Sequence, residues 1–258
     1  MSSRRNAVAA VIILVLAALA VFAWLGRRNM ERSAEGERIP DAPGTESDAP
    51  PAHVPPAPPP PEPPPVPHGK TVDYGGGVVV MPDERIVVLK GRTCVAANEG
   101  LEWAVVLYRG KEYESVVAVE ADASMIQFAL FALGYTPGGN VDVQGDPRTP
   151  LGDRLVIEVE WEREGKTVRR RIEDLVWNLE LEQPMKRTHF VFTGSRMQVD
   201  PETNSVVFLA DVERLVAALY RDPAAILNNP LETGVDDIYY IANRRTLPPK
   251  GTPVTVYM

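Results

Sequence analysis

The stretch LVIEVEWEREGKTVRRRIEDLVW, residues 155–177, holds two alternating runs on either side of Glu164-Gly165. Alternation with a period of two marks strands that bury one face, and the Glu-Gly pair between them suits a two-residue hairpin turn. The turn fixes the register. It sets Glu160 opposite Arg169 and Glu158 opposite Arg171, with Ile157 opposite Ile172 and Trp161 opposite Val168. One face then reads as a ladder of opposite charges open to water, and the other as core. The same pairing argues against a nucleic-acid patch at Arg169-Arg170-Arg171, since carboxylates answer the cations across the hairpin. Arg170 falls on the apolar side without an evident partner.

Outward from the hairpin, short runs rich in Val, Phe or Tyr predict further strands over residues 85–89, 103–108, 114–120, 189–193, 206–209 and 253–257, and residues 214–220 fit either strand or helix, with strand preferred. Helices are few. DASMIQFALFALG has Asp122 as its N-cap, Gly134 as its stop and apolar residues nearly all round, the pattern of a buried helix. DPAAILNNP, residues 222–230, reads as a single short helix with Asp222 at the cap and Pro223 in the first turn. The expected fold is α+β: a mostly antiparallel β-sheet domain with one buried helix and a short second helix. No repeat of fixed period is visible.

The chain of 258 residues is divided unevenly. Residues 7–25 carry no polar side chain over 19 positions, which as a helix would rise about 29 Å, close to the hydrocarbon thickness of a bilayer. Arg4 and Arg5 precede this run, Arg27 and Arg28 follow it, and Trp24 stands where an interfacial aromatic would lie. Residues 1–28 are therefore read as a single-pass membrane anchor, and the short amino end as the cytoplasmic one. Ala18-Leu19-Ala20 resembles a signal-peptidase site, but the apolar run continues to Leu25, longer than a secretory signal core. Residues 29–69 form a linker with 14 prolines between Pro40 and Pro67, a composition that favours polyproline II at about 3.1 Å per residue. Such a segment acts as a spacer. A ligand for SH3-like or WW-like partners would normally carry a Lys or Arg, and none occurs between Arg38 and Lys70.

Residues 70–258 form the globular domain, with 21 basic against 28 acidic residues. Nucleic-acid affinity comes largely from Lys and Arg on phosphates, so an acidic domain excludes nucleic acid as the expected partner. Cys94 is the only cysteine, which rules out an intrachain disulfide and thiolate-held clusters. No Walker loop, dinucleotide fingerprint or His-Glu-x-x-His occurs, and no cofactor is implied. His189, Ser195 and Asp200 supply the residue types of a hydrolytic triad, but without a Gly-x-Ser-x-Gly elbow, and His189 reads better as a strand-edge residue. In the loop 228–237, Asn229, Glu232, Asp236 and Asp237 are hard oxygen donors of the kind calcium takes. EF-hand spacing is absent, such clusters usually cap turns, and Asp236 and Asp237 would be the first to mutate. Glu102 and Glu114 stand on alternating strands and face either water or a functional pocket.

Several pieces occur together in order: GLEWAVVLYRGKEYESVVAV, ALFALGYTPG, FVFTGS, DPAAILNNPLE and LPPKGTPVTVY. The combination resembles the YdjY-like domain family of bacterial envelope proteins and covers nearly all of residues 70–258. Where that family usually has His before the Glu of the Lys-x-x-Glu-Ser stretch, Tyr113 stands here beside Glu114 and Ser115. The departure weakens a catalytic reading there. The resemblance implies an exported domain of the bacterial inner membrane, facing the periplasm, and brings no established biochemical role with it. Three functions are compatible with the chain. One is a noncatalytic binding or structural module reaching an envelope protein or surface polymer; the others are an enzyme with a cryptic site and a TonB-like transducer. The last is disfavoured by a larger domain and by an anchor with no ionisable residue to engage a proton channel.

Overall fold

The computed structural model describes residues 69–258; the segments read as anchor (1–28) and, up to residue 68, as linker lie outside the described residues. Among the described residues no helix is long and apolar enough to cross a membrane. The hairpin forms as its sequence demands. Glu164 and Gly165 both take positive φ, 54° and 72°, which matches the twist of the flanking strands. The register is the expected one, with Trp161 opposite Val168, Glu160 opposite Arg169 and Glu158 opposite Arg171.

This hairpin sits at one end of a twelve-stranded sheet. In chain order the strands are β1 (Val72–Gly75), β2 (Val78–Met81), β3 (Ile86–Thr93), β4 (Trp103–Leu107), β5 (Ser115–Val119), β6 (Arg154–Leu155), β7 (Glu158–Arg163), β8 (Lys166–Arg171), β9 (Phe190–Phe192), β10 (Leu215–Ala218), β11 (Leu227–Asn228) and β12 (Pro253–Tyr257). In space they run β8-β7-β12-β3-β5-β4-β10-β11-β9-β6, and the β1–β2 hairpin extends from the first half of β3. Two pairs are parallel, β4 with β5 and β10 with β11; the rest are antiparallel. The α+β class with a mostly antiparallel sheet is therefore correct.

Two helices accompany the sheet, α1 (Ala123–Ala132) and α2 (Leu209–Glu213). Strands β4 and β5 are buried at every position, which explains why they read as continuous apolar runs rather than alternating ones. One face of this centre joins the main core with Ile126, Ala129 and Leu130 of α1. The other packs Trp103, Val106 and Ala118 against Cys94, Leu215 and Ala225.

Three expectations fail, each for a physical reason. The charge ladder is not open to water: Arg169 is only 5% exposed, its Nη2 pairs with Glu158 at 2.7 Å, and its guanidinium lies 3.9 Å from the centre of the Tyr257 ring. The cause is β12, which adds beside β7 and brings Tyr257 onto the face. Helix α1 is not apolar because it is buried all round: Phe128 and Phe131 are exposed. Residues 222–230 are not a helix either. Asp222 Oδ1 accepts from Ala224 N at 2.7 Å, while Asn228 accepts from Asp222 N and donates back to its carbonyl at 2.8 and 3.1 Å. Those side-chain bonds give the backbone a non-helical solution, and Leu227–Asn228 joins the sheet.

The residue before that loop organises the region. Arg221 is 2% exposed, and its five N–H donors meet five carbonyls. Nε donates to Asn229 O (3.0 Å), Nη1 to Asp146 O and Arg148 O (2.7 and 2.9 Å), and Nη2 to Pro230 O and Leu231 O (3.2 and 2.7 Å). Its backbone N–H donates to Gly234 O and its carbonyl accepts from Gly145 N. Burial pushes the guanidinium pKa down, with Asp146 pulling it partly back. Replacing Arg221 by Met leaves those carbonyls unpaired in the interior, and should cost about 3 kcal/mol or more. A fall in the urea midpoint of that size, with the slope unchanged, is the expected result; an unshifted midpoint contradicts the assignment.

Candidate functional site

A groove lies where the β1–β2 turn meets the carboxyl ends of the parallel strands β4 and β5. Its volume is about 620 Å³. The turn is Gly75-Gly76-Gly77, with φ of 78°, 55° and 75°. Glycine is required at the third position for two reasons. The φ value is one that L side chains avoid, and an added Cβ would overlap the Glu120 carbonyl oxygen. The close approach brings the turn against the β5–α1 junction, where Asp122 N donates to Gly76 O at 2.9 Å.

Charges of both signs line the walls: Asp73, Glu120 and Asp122 against Lys90 and Arg214, with Tyr108 between them. Asp73 Oδ1 accepts from Gly75 N at 2.8 Å and steadies the turn. Lys90 Nζ donates to Thr255 Oγ1 at 2.8 Å. Arg214 caps α2 in the left-handed region (φ 59°) and donates from Nη1 to Tyr108 O at 3.0 Å. The Arg92 guanidinium lies 4.4 Å from the centre of the Tyr108 ring and pairs with Glu112. Burial raises the Tyr108 pKa, and Arg92 opposes that rise.

The amino end of α1 is not free for an anion. Asp211 Oδ1 accepts from Ala123 N and Ser124 N at 2.7 and 3.2 Å, supplying the negative charge that a helix amino terminus attracts. What remains is an open groove lined by main-chain groups and by charged side chains of both signs.

A family model described as the YdjY domain matches residues 78–258. The chain belongs to the YdjY domain family. No curated protein and no solved structure matches it. The matched span takes in every strand from β2 to β12, so the YdjY domain here is the sheet, both helices and most of the groove.

Within the YdjY domain the residues singled out by sequence fall in different places. His189 is exposed just before β9, in a cleft with Arg154 and Pro230. Ser195 is half-buried, takes Gln127 Oε1 on its backbone N–H at 2.9 Å, and leaves its hydroxyl unpartnered. Asp200 accepts from Glu202 N and Thr203 N at a hairpin tip, and these bonds lower its pKa. No hydrogen bond joins the three. Asp236 accepts from Ile238 N at 3.3 Å, and Asn229 bonds Leu219 O and Leu231 N, so both act as local caps. Among the described residues no group of three or more His, Cys, Asp or Glu is placed to hold a metal ion. Tyr113 is exposed in the turn between β4 and β5, and Ser115 Oγ donates to Lys111 O at 2.6 Å.

Glu102 and Glu114 do come together, and the sequence did not reveal their company. Glu102 N donates to Glu114 O at 3.0 Å, and the Glu102 carbonyl accepts from Leu219 N and Tyr220 N. The Glu102 pKa is raised, first by burial and then by Glu114, with Lys111 opposing and Asp237 and Asp222 adding to the rise. Tyr220 is raised by burial and by the same carboxylates. Cys94 is buried against this centre, and desolvation pushes its thiol to about 12, so it is an unreactive core residue.

Two predictions follow from this geometry. Gly77→Ala should destabilise the domain by about 2 to 4 kcal/mol, read as a drop in the denaturant midpoint; an unchanged midpoint would show that the close approach is not required. The second concerns ionisation. Because its folded pKa lies above the ordinary carboxyl value, the protonated form of Glu102 favours the fold, and that benefit is fully present below the unfolded pKa and is lost as pH rises through the folded one. Glu102→Gln should therefore raise the melting temperature at pH 7 and leave it unchanged in acid below the ordinary carboxyl pKa. Equal shifts at both pH values would refute the carboxylate cluster.

Proposed function

We propose that this chain is a membrane-tethered, extracytoplasmic recognition module, noncatalytic, whose YdjY domain binds an extended segment of an envelope protein or surface polymer. The observation that carries the reading is the triglycine groove. It is open, its lip is main chain at Gly75-Gly76-Gly77, and it carries charges of both signs, of which Asp73, Lys90 and Arg214 are held by their own hydrogen bonds. Groups already fixed lose little entropy when a ligand arrives, which favours recognition. The apolar run at residues 7–25 supplies the tether, and the proline-rich residues 29–69 the reach, so that a domain on the periplasmic side could meet a partner beyond the membrane surface.

The test is capture from solubilised membranes by the full chain, alongside the double variant Lys90→Glu/Arg214→Gly. Both positions are on the groove wall, Lys90 is exposed, and glycine relieves the left-handed backbone at position 214. The wild type should retain a partner that the variant loses, while both unfold within a few degrees of each other, about 1 kcal/mol or less. Equal capture by both would eliminate the groove as the site. A reporter fused after Met258 and found active only in the cytosol would eliminate the topology.

A further inference from the structure

We infer a second binding site, for an oxyanion-bearing glycan, in the cleft between the β7–β8 hairpin and the loop of residues 243–252. Two adjoining cavities of about 480 and 160 Å³ share Arg244 and Arg245. Arg163 stands on the opposite lip, and Glu162 is the one carboxylate in the lining. Glu162 is itself engaged, accepting from Thr167 Oγ1 at 2.6 Å. Three arginines around one cleft go against the charge of a domain with 21 basic and 28 acidic residues. Neither Arg244 nor Arg245 forms an ion pair among the described residues. Arg187 and Arg196, also exposed, pair with Asp174 and Asp142, whereas Arg109 and Arg154 are exposed without an ion pair as well.

The loop that presents them is held at both ends. Asn243, 1% exposed, donates from Nδ2 to Asp174 O at 2.9 Å and accepts from Arg245 N at 3.1 Å, while its backbone N–H donates to Leu175 O. Thr246 Oγ1 adds a second bond to Asp174 O at 2.5 Å. At the far end Thr93 Oγ1 donates to Pro249 O at 2.7 Å, and Gly251 N donates to Thr93 O. The Arg245 guanidinium lies 5.0 Å from the centre of the Trp177 ring, which orients its fork. A guanidinium fork oriented in this way, with free N–H groups, matches carboxylate or phosphate oxygens in pairs, and Arg163 opposite is shared with Glu164 at 4.0 Å.

Among the other lining residues Trp161, Leu247, Pro248 and Pro249 are apolar and offer a wall to the C–H face of a sugar ring, with the Thr246 and Thr252 side chains beside them. Three cations are too few to follow a nucleic-acid backbone on an acidic domain. A uronate and a phosphodiester-linked glycan share the required oxyanion chemistry. This site extends the recognition reading, but its residues do not overlap the groove, so the two fail separately.

The test uses the full chain in neutral detergent, titrated calorimetrically with polygalacturonate, a phosphodiester-linked mannan, uncharged dextran and a single-stranded oligonucleotide. One anionic glycan should bind, with affinity falling roughly tenfold between about 50 and 200 mM salt. Arg244→Ser/Arg245→Ser should weaken it at least tenfold, and the Lys/Lys pair should recover only part, while the groove substitution Arg214→Gly binds as wild type. Binding of neither glycan at low salt, equal binding by the Ser/Ser variant, equal binding of dextran, or tighter binding of the oligonucleotide would each overturn the assignment.

Discussion

Arg221 places a full positive charge inside the fold with no carboxylate in ion-pair contact, and solvates it with main-chain carbonyls instead. Removing a cation from water is costly, and only a complete set of acceptors offsets that. Those acceptors come from two loops far apart in sequence, residues 146–148 and 229–231. Neither loop has regular structure to hold it. The guanidinium therefore acts as the common acceptor-gatherer for both, and the backbone of residue 221 adds Gly145 and Gly234 to the same knot. The flanking asparagines continue it: Asn228 donates to Thr193 Oγ1 on the neighbouring strand, and Asn229 donates to Leu219 O.

Beside this knot lies a second arrangement with the opposite logic. Arg148 reaches both Asp146 and Asp142, and Arg196 joins Asp142 at 2.9 Å. The Arg148 hydrogen bond, with the Asp142 backbone N–H, holds the Asp146 carboxyl well below the usual range. A carboxylate of lowered pKa contributes stability above its unfolded value and loses it as pH falls through the folded one. Loop 142–148 is thus fixed from inside by Arg221 and from outside by an acid-sensitive pair network. The inner contact does not titrate in the accessible range. Acid should loosen the outer side first.

How far the fold could be read from sequence depended on whether the deciding contact was local. The turn at Glu164-Gly165 fixes its own register, so every pair across β7 and β8 was legible. The run at residues 253–257 was legible as a strand for the same reason, but its place between β7 and β3 was not. That placement buries Arg169 under Tyr257 and turns a ladder read as solvated into a covered one. Helix α2 escaped notice because it ends on Arg214 in the left-handed region, with no glycine to mark the stop. The loop at 222–230 read as a helix because Asp-Pro-Ala-Ala is a good helix start, whereas the bonds that override it belong to Asn228. For the candidate site, Glu102, Glu114, Asp222 and Asp237 were each legible as residues of interest, but for different roles, and their proximity was not, since the fold brings Asp222 and Asp237 to Glu102 from 120 and 135 positions away.

The groove and the basic cleft share one design feature, and it bears on what kind of chemistry the domain performs. In each, the polar groups that face outward are pinned by bonds to main chain or to rings behind them: Arg214 by Tyr108 O, Asp73 by Gly75 N, Arg245 by the Trp177 ring and its own amide by Asn243. Catalysis by acid and base needs a titratable group presented to substrate with its pKa set near the working pH. The groups whose pKa values are moved most sharply here lie elsewhere. Cys94 is sealed in the core, and Asp146 serves the loop network. The outward polar groups named are thus held in position and the buried charges serve stability, a division that supports the recognition role proposed for the domain.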